Sequence, residues 1–163
     1  MENGTCAFTG HRIIAAAHRD SVSGLILRAV EYAYGEGCRT FLSGGAVGFD
    51  TLAAREVIRF RLSHPDVRLV LVLPCLDQDK RWSARDRDAY EYIIGAADEV
   101  KYLADTYTDD CMKRRNFALA SDADIIVAYV GRSASGAGQT VRMAERMGKR
   151  VYNLYPTLEK GDF

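Results

Sequence analysis

Proline is nearly absent from this chain, with three in 163 residues, and tryptophan occurs once. So little proline excludes a proline-rich linker or a collagen-like repeat. Four cysteines, Cys6, Cys38, Cys75 and Cys111, come no closer in sequence than the 32 positions between the first two. None forms a CxxC or a Cys/His pair of metal-ligand spacing, so they read as buried thiols of a reducing compartment, and no metal is expected. Neither sign of charge is in excess, since Lys+Arg and Asp+Glu both number 22. Without a global field, contact with a polyanion must come from a local patch, and nucleic acid is not an expected partner. The longest apolar run, LVLVLPCL at 69–76, is too short for a bilayer, and MENGTCAFTG lacks the basic start and apolar segment of an export signal. A cytoplasmic protein with no membrane partner is expected.

What is present is a regular alternation. Apolar runs rich in Val, Ile, Leu and Phe recur at 5–9, 40–43, 67–74, 99–103, 124–130 and 150–155. Several are continuously apolar, as strands covered on both faces are. Between them lie helical patterns at 20–35, with Asp20 or Ser21 as N-cap, then from Asp50 to Pro65, and at 86–97, 109–122 and 139–148. This order predicts an α/β fold, a Rossmann-like doubly wound three-layer domain with a mostly parallel sheet, formed by residues 1–163 as one unit.

In such a sheet, ligands bind beyond the carboxyl ends of the strands. The segments expected there are unusually rich in small residues: Thr9-Gly10-His11-Arg12, SGGAVGFD at 43–50, PCLDQDKRW at 74–82 and GRSASGAGQT at 131–140. Glycine admits a ligand to the backbone, and a helix N-terminus offers free N–H groups to an anion. The spacing is neither GxGxxG nor GxxxxGK[ST], so the loop at 43–50 alone reads equally as a phosphate cradle or a tight turn. The second cluster, Gly136, Gly138 and Thr140, shifts the balance toward a ligand gripped from both sides. Arg12 suits a bidentate phosphate contact and His11 a proton exchange or a plain polar position. Asp50 can cap the next helix or accept from a ribose hydroxyl, Trp82 can stack on a base or cover the core, and Arg115 reaches the crest if its helix points there.

FTGHR, SGGAVGFD, LPCLDQDKRW, YTDDCMKRRN, SDADIIVAYV and GAGQT, in this order, resemble the SLOG superfamily. That Rossmann-like group includes DNA-processing protein A and the LONELY GUY phosphoribohydrolases, and the likeness is closest to its YpsA-like branch. The resemblance implies a nucleotide or nucleotide-derived ligand at the sheet crest and a self-associating subunit. It also implies binding residues at Thr9, Gly10, His11, Arg12, Ser43, Gly44, Gly45, Ala46, Gly48, Asp50, Pro74, Trp82, Arg115, Asn116, Gly136, Gly138 and Thr140. The LONELY GUY arginine falls on Arg115, but the lysine after it is replaced by Asn116 and the catalytic glutamate by Met143. A thioether is neither acid nor base, so binding, as in a sensor, is expected ahead of N-glycosidic cleavage by Arg115 or Asp50. Single-stranded DNA binding ranks third, because no basic stripe with interleaved aromatics is visible.

Overall fold

The computed structural model describes residues 1–161. Six strands alternate with helices: β1 Gly4–Gly10, α1 Val22–Gly35, β2 Cys38–Ser43, α2 Phe49–Arg61, β3 Arg68–Leu73, α3 Ala84–Ala96, β4 Glu99–Tyr102, α4 Cys111–Asp122, β5 Ile125–Tyr129, α5 Gly136–Arg146, β6 Arg150–Asn153 and α6 Tyr155–Lys160. A short 3-10 turn at Ala16–His18 precedes α1. The sheet order is β4-β3-β2-β1-β5-β6, and every pairing is parallel.

The continuous apolar runs have a direct cause. Successive side chains of a strand point to opposite faces, and here each face is covered. Cys6, Phe8, Phe41, Leu69, Leu71, Ile125, Val127 and Tyr129 join the core that also holds residues of α1, α2 and α3. Their neighbours Ala7, Leu42, Val70, Val72, Ile126 and Ala128 join the second core, with Leu119 and Ala120 of α4 and Ala144 of α5. This is the α/β, Rossmann-like three-layer architecture that the alternation predicts.

Two expectations shift at the edges. The run RVYNLY does not continue as a strand to Tyr155, because β6 ends at Asn153 and Tyr155 opens α6, with Pro156 in its first turn. A first-turn proline forgoes only an N–H that a helix start leaves unused. Helix α5 begins at Gly136 rather than 139, since Ser135 accepts from the Gly138 N–H at 3.0 Å and caps it. Ser21 precedes α1 without making a side-chain cap bond. All four cysteines are buried and free. Among the described residues no helix is long and apolar enough to cross a membrane.

A row of rings ties the first core to the sheet. Phe8 lies 6.1 Å from Phe41 and 6.5 Å from Phe49, and Phe49 stacks at 5.7 Å on Tyr129. Phe8 is fully buried at the centre of that row. Replacing it (Phe8→Ala) is expected to lower unfolding free energy by about 3–5 kcal/mol. Urea denaturation followed by far-UV circular dichroism measures the loss, and one below about 1 kcal/mol would place the ring outside the packed core.

Candidate functional site

Strand β1 pairs with β2 on one side and with β5 on the other, so the connections after β1 and β5 leave the sheet toward opposite layers. A crevice opens at such a reversal. Here it is a cleft of about 710 Å³, lined from β1 and its exit by Thr9, Gly10, His11 and Arg12, from α2 by Asp50, and from α4 by Arg115 and Asn116. Arg132, Ser135 and Gly136 close it from the β5 side, with Ala46 and Tyr155 also on the wall.

Arg115 is 5% exposed. Its position follows from α4, which turns its Arg115 and Asn116 side chains inward and leaves Arg114 in solvent. Nη1 donates to the Gly44 carbonyl at 2.6 Å, and Nε donates to Asn116 Oδ1 at 3.0 Å. Among the described residues it forms no ion pair, and neither do Arg12 and Arg132. Burial pulls its pKa down, opposed by the Asp50 charge. A guanidinium nonetheless keeps its proton, so the cleft holds a desolvated positive charge with no carboxylate against it.

Asp50, in the first turn of α2, is the only acid on the wall among the described residues. Its Oδ2 accepts from the Ala46 N–H at 3.4 Å, while Oδ1 is buried without a partner. Burial pushes its carboxyl up to about 6, against the pull of Arg115 and, more weakly, of the Ala46 N–H, Arg12 and the Gly10 N–H. A buried carboxylate oxygen left open in a cleft suits a hydroxyl donor.

His11 is half-buried. Its Nε2 accepts from the Gly131 N–H at 2.8 Å and the Arg132 N–H at 3.3 Å, while its carbonyl accepts from Phe49 at 3.1 Å. Burial, and then the Arg132 charge, lower its pKa.

Of the residues expected at the site, Thr9, Gly10, His11, Arg12, Ala46, Asp50, Arg115, Asn116 and Gly136 meet around the cleft. Ser43, Gly44, Gly45, Gly48, Pro74, Trp82, Gly138 and Thr140 lie outside its lining. Each has an internal task. Ser43 Oγ donates to the Asp50 carbonyl at 2.9 Å and accepts from the Gly45 N–H at 3.2 Å, so that with the Ala46 bond two amides of this loop are used internally. A Cβ on Gly44 would lie 2.4 Å from Arg115 Nη1, so the missing side chain makes room for the guanidinium. Gly48 has φ +83°, and a Cβ there would lie 2.2 Å from the Arg12 carbonyl oxygen. Pro74 is buried behind β3. Trp82 packs edge-on to Tyr90 at 4.9 Å and covers the core. Thr140 Oγ1 donates to the Gly136 carbonyl at 3.2 Å inside α5. Met143 packs against the second core and borders a different depression, with Phe117 and Leu103. Sequence reasoning did not single out Arg132 and Tyr155 on the wall; a basic residue directly after a strand-exit glycine was the available signal for Arg132.

The sequence model of the YpsA family, described as the YspA SLOG family, matches residues 16–155. The chain belongs to this family. YoqJ, an uncharacterized SPbeta prophage-derived protein of Bacillus subtilis strain 168, is 28% identical over 130 residues, covering 71% of this chain and 76% of YoqJ. Two solved structures of DNA processing protein A are similar in fold. That from Streptococcus pneumoniae has a TM-score of 0.64 at 18% identity and covers 92% of this chain, which spans 50% of that protein. That from Helicobacter pylori, described for its single-stranded DNA binding mode, has a TM-score of 0.65 at 16% identity over 92% of this chain and 64% of its own.

The Asp50 shift has a stability consequence. Its folded pKa lies above the ordinary 3.8, so the folded state holds the proton more tightly, and stability falls as pH rises from about 4 through about 6. At neutral pH the buried charge costs its full amount. Asp50→Asn is therefore expected to raise unfolding free energy at pH 7 by about 1–3 kcal/mol and to flatten the slope between about pH 4 and 6. Urea melts across that range measure both, and an unchanged slope would show a solvated carboxylate.

Proposed function

We propose that this protein binds a nucleotide or nucleotide-derived ligand in the cleft between the β1 and β5 exits. The observation that carries the reading is Arg115, a guanidinium buried at 5% exposure with no acid paired to it. A phosphate oxygen supplies the missing charge and accepts from the fork, and Arg12 and Arg132 on the same wall add to it. The start of α5, at Gly136, faces the same space, so its N–H groups and dipole favour the same sign of charge. Asp50 Oδ1 suits a sugar hydroxyl. Phosphate and hydroxyl together describe a ribose phosphate better than a bare inorganic anion.

A second reading has the fold likeness to DNA processing protein A behind it. It weakens the expectation that nucleic acid is no partner. Against it stand the concave form of the cleft and the place of Trp82, which packs edge-on to Tyr90 and lies outside the cleft lining. Hydrolysis of the ligand would rest on Asp50, the one acid on the wall. Its pKa near 6 suits proton transfer at neutral pH.

Thermal unfolding with AMP, ADP, ADP-ribose, UDP-glucose and an oligothymidylate tests these readings together. Stabilisation by at least one of the four nucleotides is expected, and Arg115→Met is expected to weaken that binding by about 10- to 100-fold, the loss of a charge-assisted contact. Stabilisation by the oligonucleotide alone, or by nothing, would overturn the proposal. Chromatography of the same mixtures for free base or ribose phosphate decides turnover.

A further inference from the structure

Two backbone donors converge on one imidazole nitrogen of His11. The Gly131 N–H at 2.8 Å and the Arg132 N–H at 3.3 Å both point at Nε2, so that atom carries a lone pair and the proton sits on Nδ1. Beyond this point the chain of bonds continues. The Arg132 carbonyl accepts from Ser135 Oγ at 2.7 Å, and the same Oγ accepts from the Gly138 N–H at 3.0 Å, capping α5. At its other end His11 is fixed to the sheet, its own N–H donating to the Tyr129 carbonyl at 3.1 Å and its carbonyl receiving the Phe49 N–H at 3.1 Å. The backbone of His11 thus ties the β1 exit to β5 and the start of α2, while its neutral ring holds the β5 exit and, through Arg132 and Ser135, the α5 cap.

We infer that His11 is a positioning residue whose neutral imidazole latches the Gly131–Arg132 rim of the cleft, and whose protonation releases that rim. An imidazolium has a proton on both nitrogens and can accept from neither amide, so both bonds are lost in one step. The surrounding groups favour the neutral ring. Arg132 is held beside it, Arg12 follows it in sequence, and Tyr129 and Tyr155 present rings at 5.9 and 6.2 Å with interplanar angles near perpendicular. Arg115 and Asp50 line the same cleft, and Asp50 is the only one of these groups that can offset a proton on His11. His18, with Glu159 at 3.1 Å, stands on the far side of the tyrosines and bonds Tyr129 Oη at 2.7 Å. Burial and the Arg132 charge place the release below the ring's ordinary 6.5. Stability from the latch is therefore present above about pH 6.5 and lost as pH falls through the lowered folded value.

The latch needs no ligand. Its effect on binding rests on the anion reading above, because it places Arg132 and the α5 N-terminus. Long-range nitrogen-15 spectra of the full chain at pH 7.5 are expected to show His11 as the Nδ1–H tautomer, and an Nε2–H tautomer would overturn the inference. Amide exchange, normalised for intrinsic rates, then compares three proteins between pH 5 and 8. In wild type, protection at Gly131 and Arg132 is expected to fall about tenfold on acidification, on the scale of a lost hydrogen bond. His11→Gln places a non-titrating oxygen near the Nε2 position and is expected to keep protection with no such pH step, whereas His11→Phe is expected to lack it at every pH. A pH step that persists in His11→Gln would assign it to Asp50 or His18 and overturn the latch. Affinity for the same four nucleotides measured on these proteins separates the two ideas: exchange behaving as described with none of the four bound would leave the latch standing and remove the ligand.

Discussion

A guanidinium inside a protein without a carboxylate beside it is costly, and the cleft is arranged around that cost. Arg115 meets its needs in part through the Gly44 carbonyl and Asn116 Oδ1, two neutral acceptors that satisfy donors without cancelling charge. Asp50 is near enough to feel the charge and yet forms no ion pair, so both groups are pulled toward their neutral forms by burial. Had the carboxylate closed on the guanidinium, the pair would have been a structural device. Left apart, they form a desolvated field open to a third group.

That field exists because of how the sheet is wound. Strands β1 and β5 lie side by side, but the chain leaves them toward different layers, and a gap opens between the two exits. Helix α4 delivers Arg115 from one layer and α2 delivers Asp50 from the other. The alternation of each strand between two cores is thus the condition that lets opposite charges arrive from opposite sides. The aromatic row from Phe41 to Tyr129 fixes the sheet beneath α2, and with it the height of Asp50 in the cleft.

Much of this was legible in the residues. The apolar runs gave the strands to within a residue or two, most clearly for β3 and β5, where burial on both faces leaves almost no position for a polar side chain. Asp50, Arg115, Arg12 and His11 were legible as candidates because charge at a strand exit or an inward helix position has few other uses. The glycines were less legible. Gly44 and Gly48 occupy a loop that invites a phosphate reading, but a missing Cβ looks the same in sequence whether a ligand or the protein's own Arg115 side chain and Arg12 carbonyl takes the space. Tyr155 was assigned to a strand because YNLY is apolar and β-prone, whereas the proline that follows it starts a helix. Trp82 had a single aromatic's ambiguity, since a residue that stacks on a base and one that packs edge-on to Tyr90 look the same in sequence.

Met143 deserves a different weight once its place is known. Taken as the substitute for a LONELY GUY glutamate, it argues against cleavage. In this fold, however, its side chain packs against the second core and borders a depression walled by Lys113, Arg114 and Phe117, away from the Arg115 cleft. A carboxylate there would face that depression and not the buried guanidinium. Among the described residues the acid that lines the Arg115 cleft is Asp50, whose open Oδ1 and raised pKa are independent of what residue 143 is. A glutamate at position 143 would therefore lie apart from the buried guanidinium and from Asp50 alike.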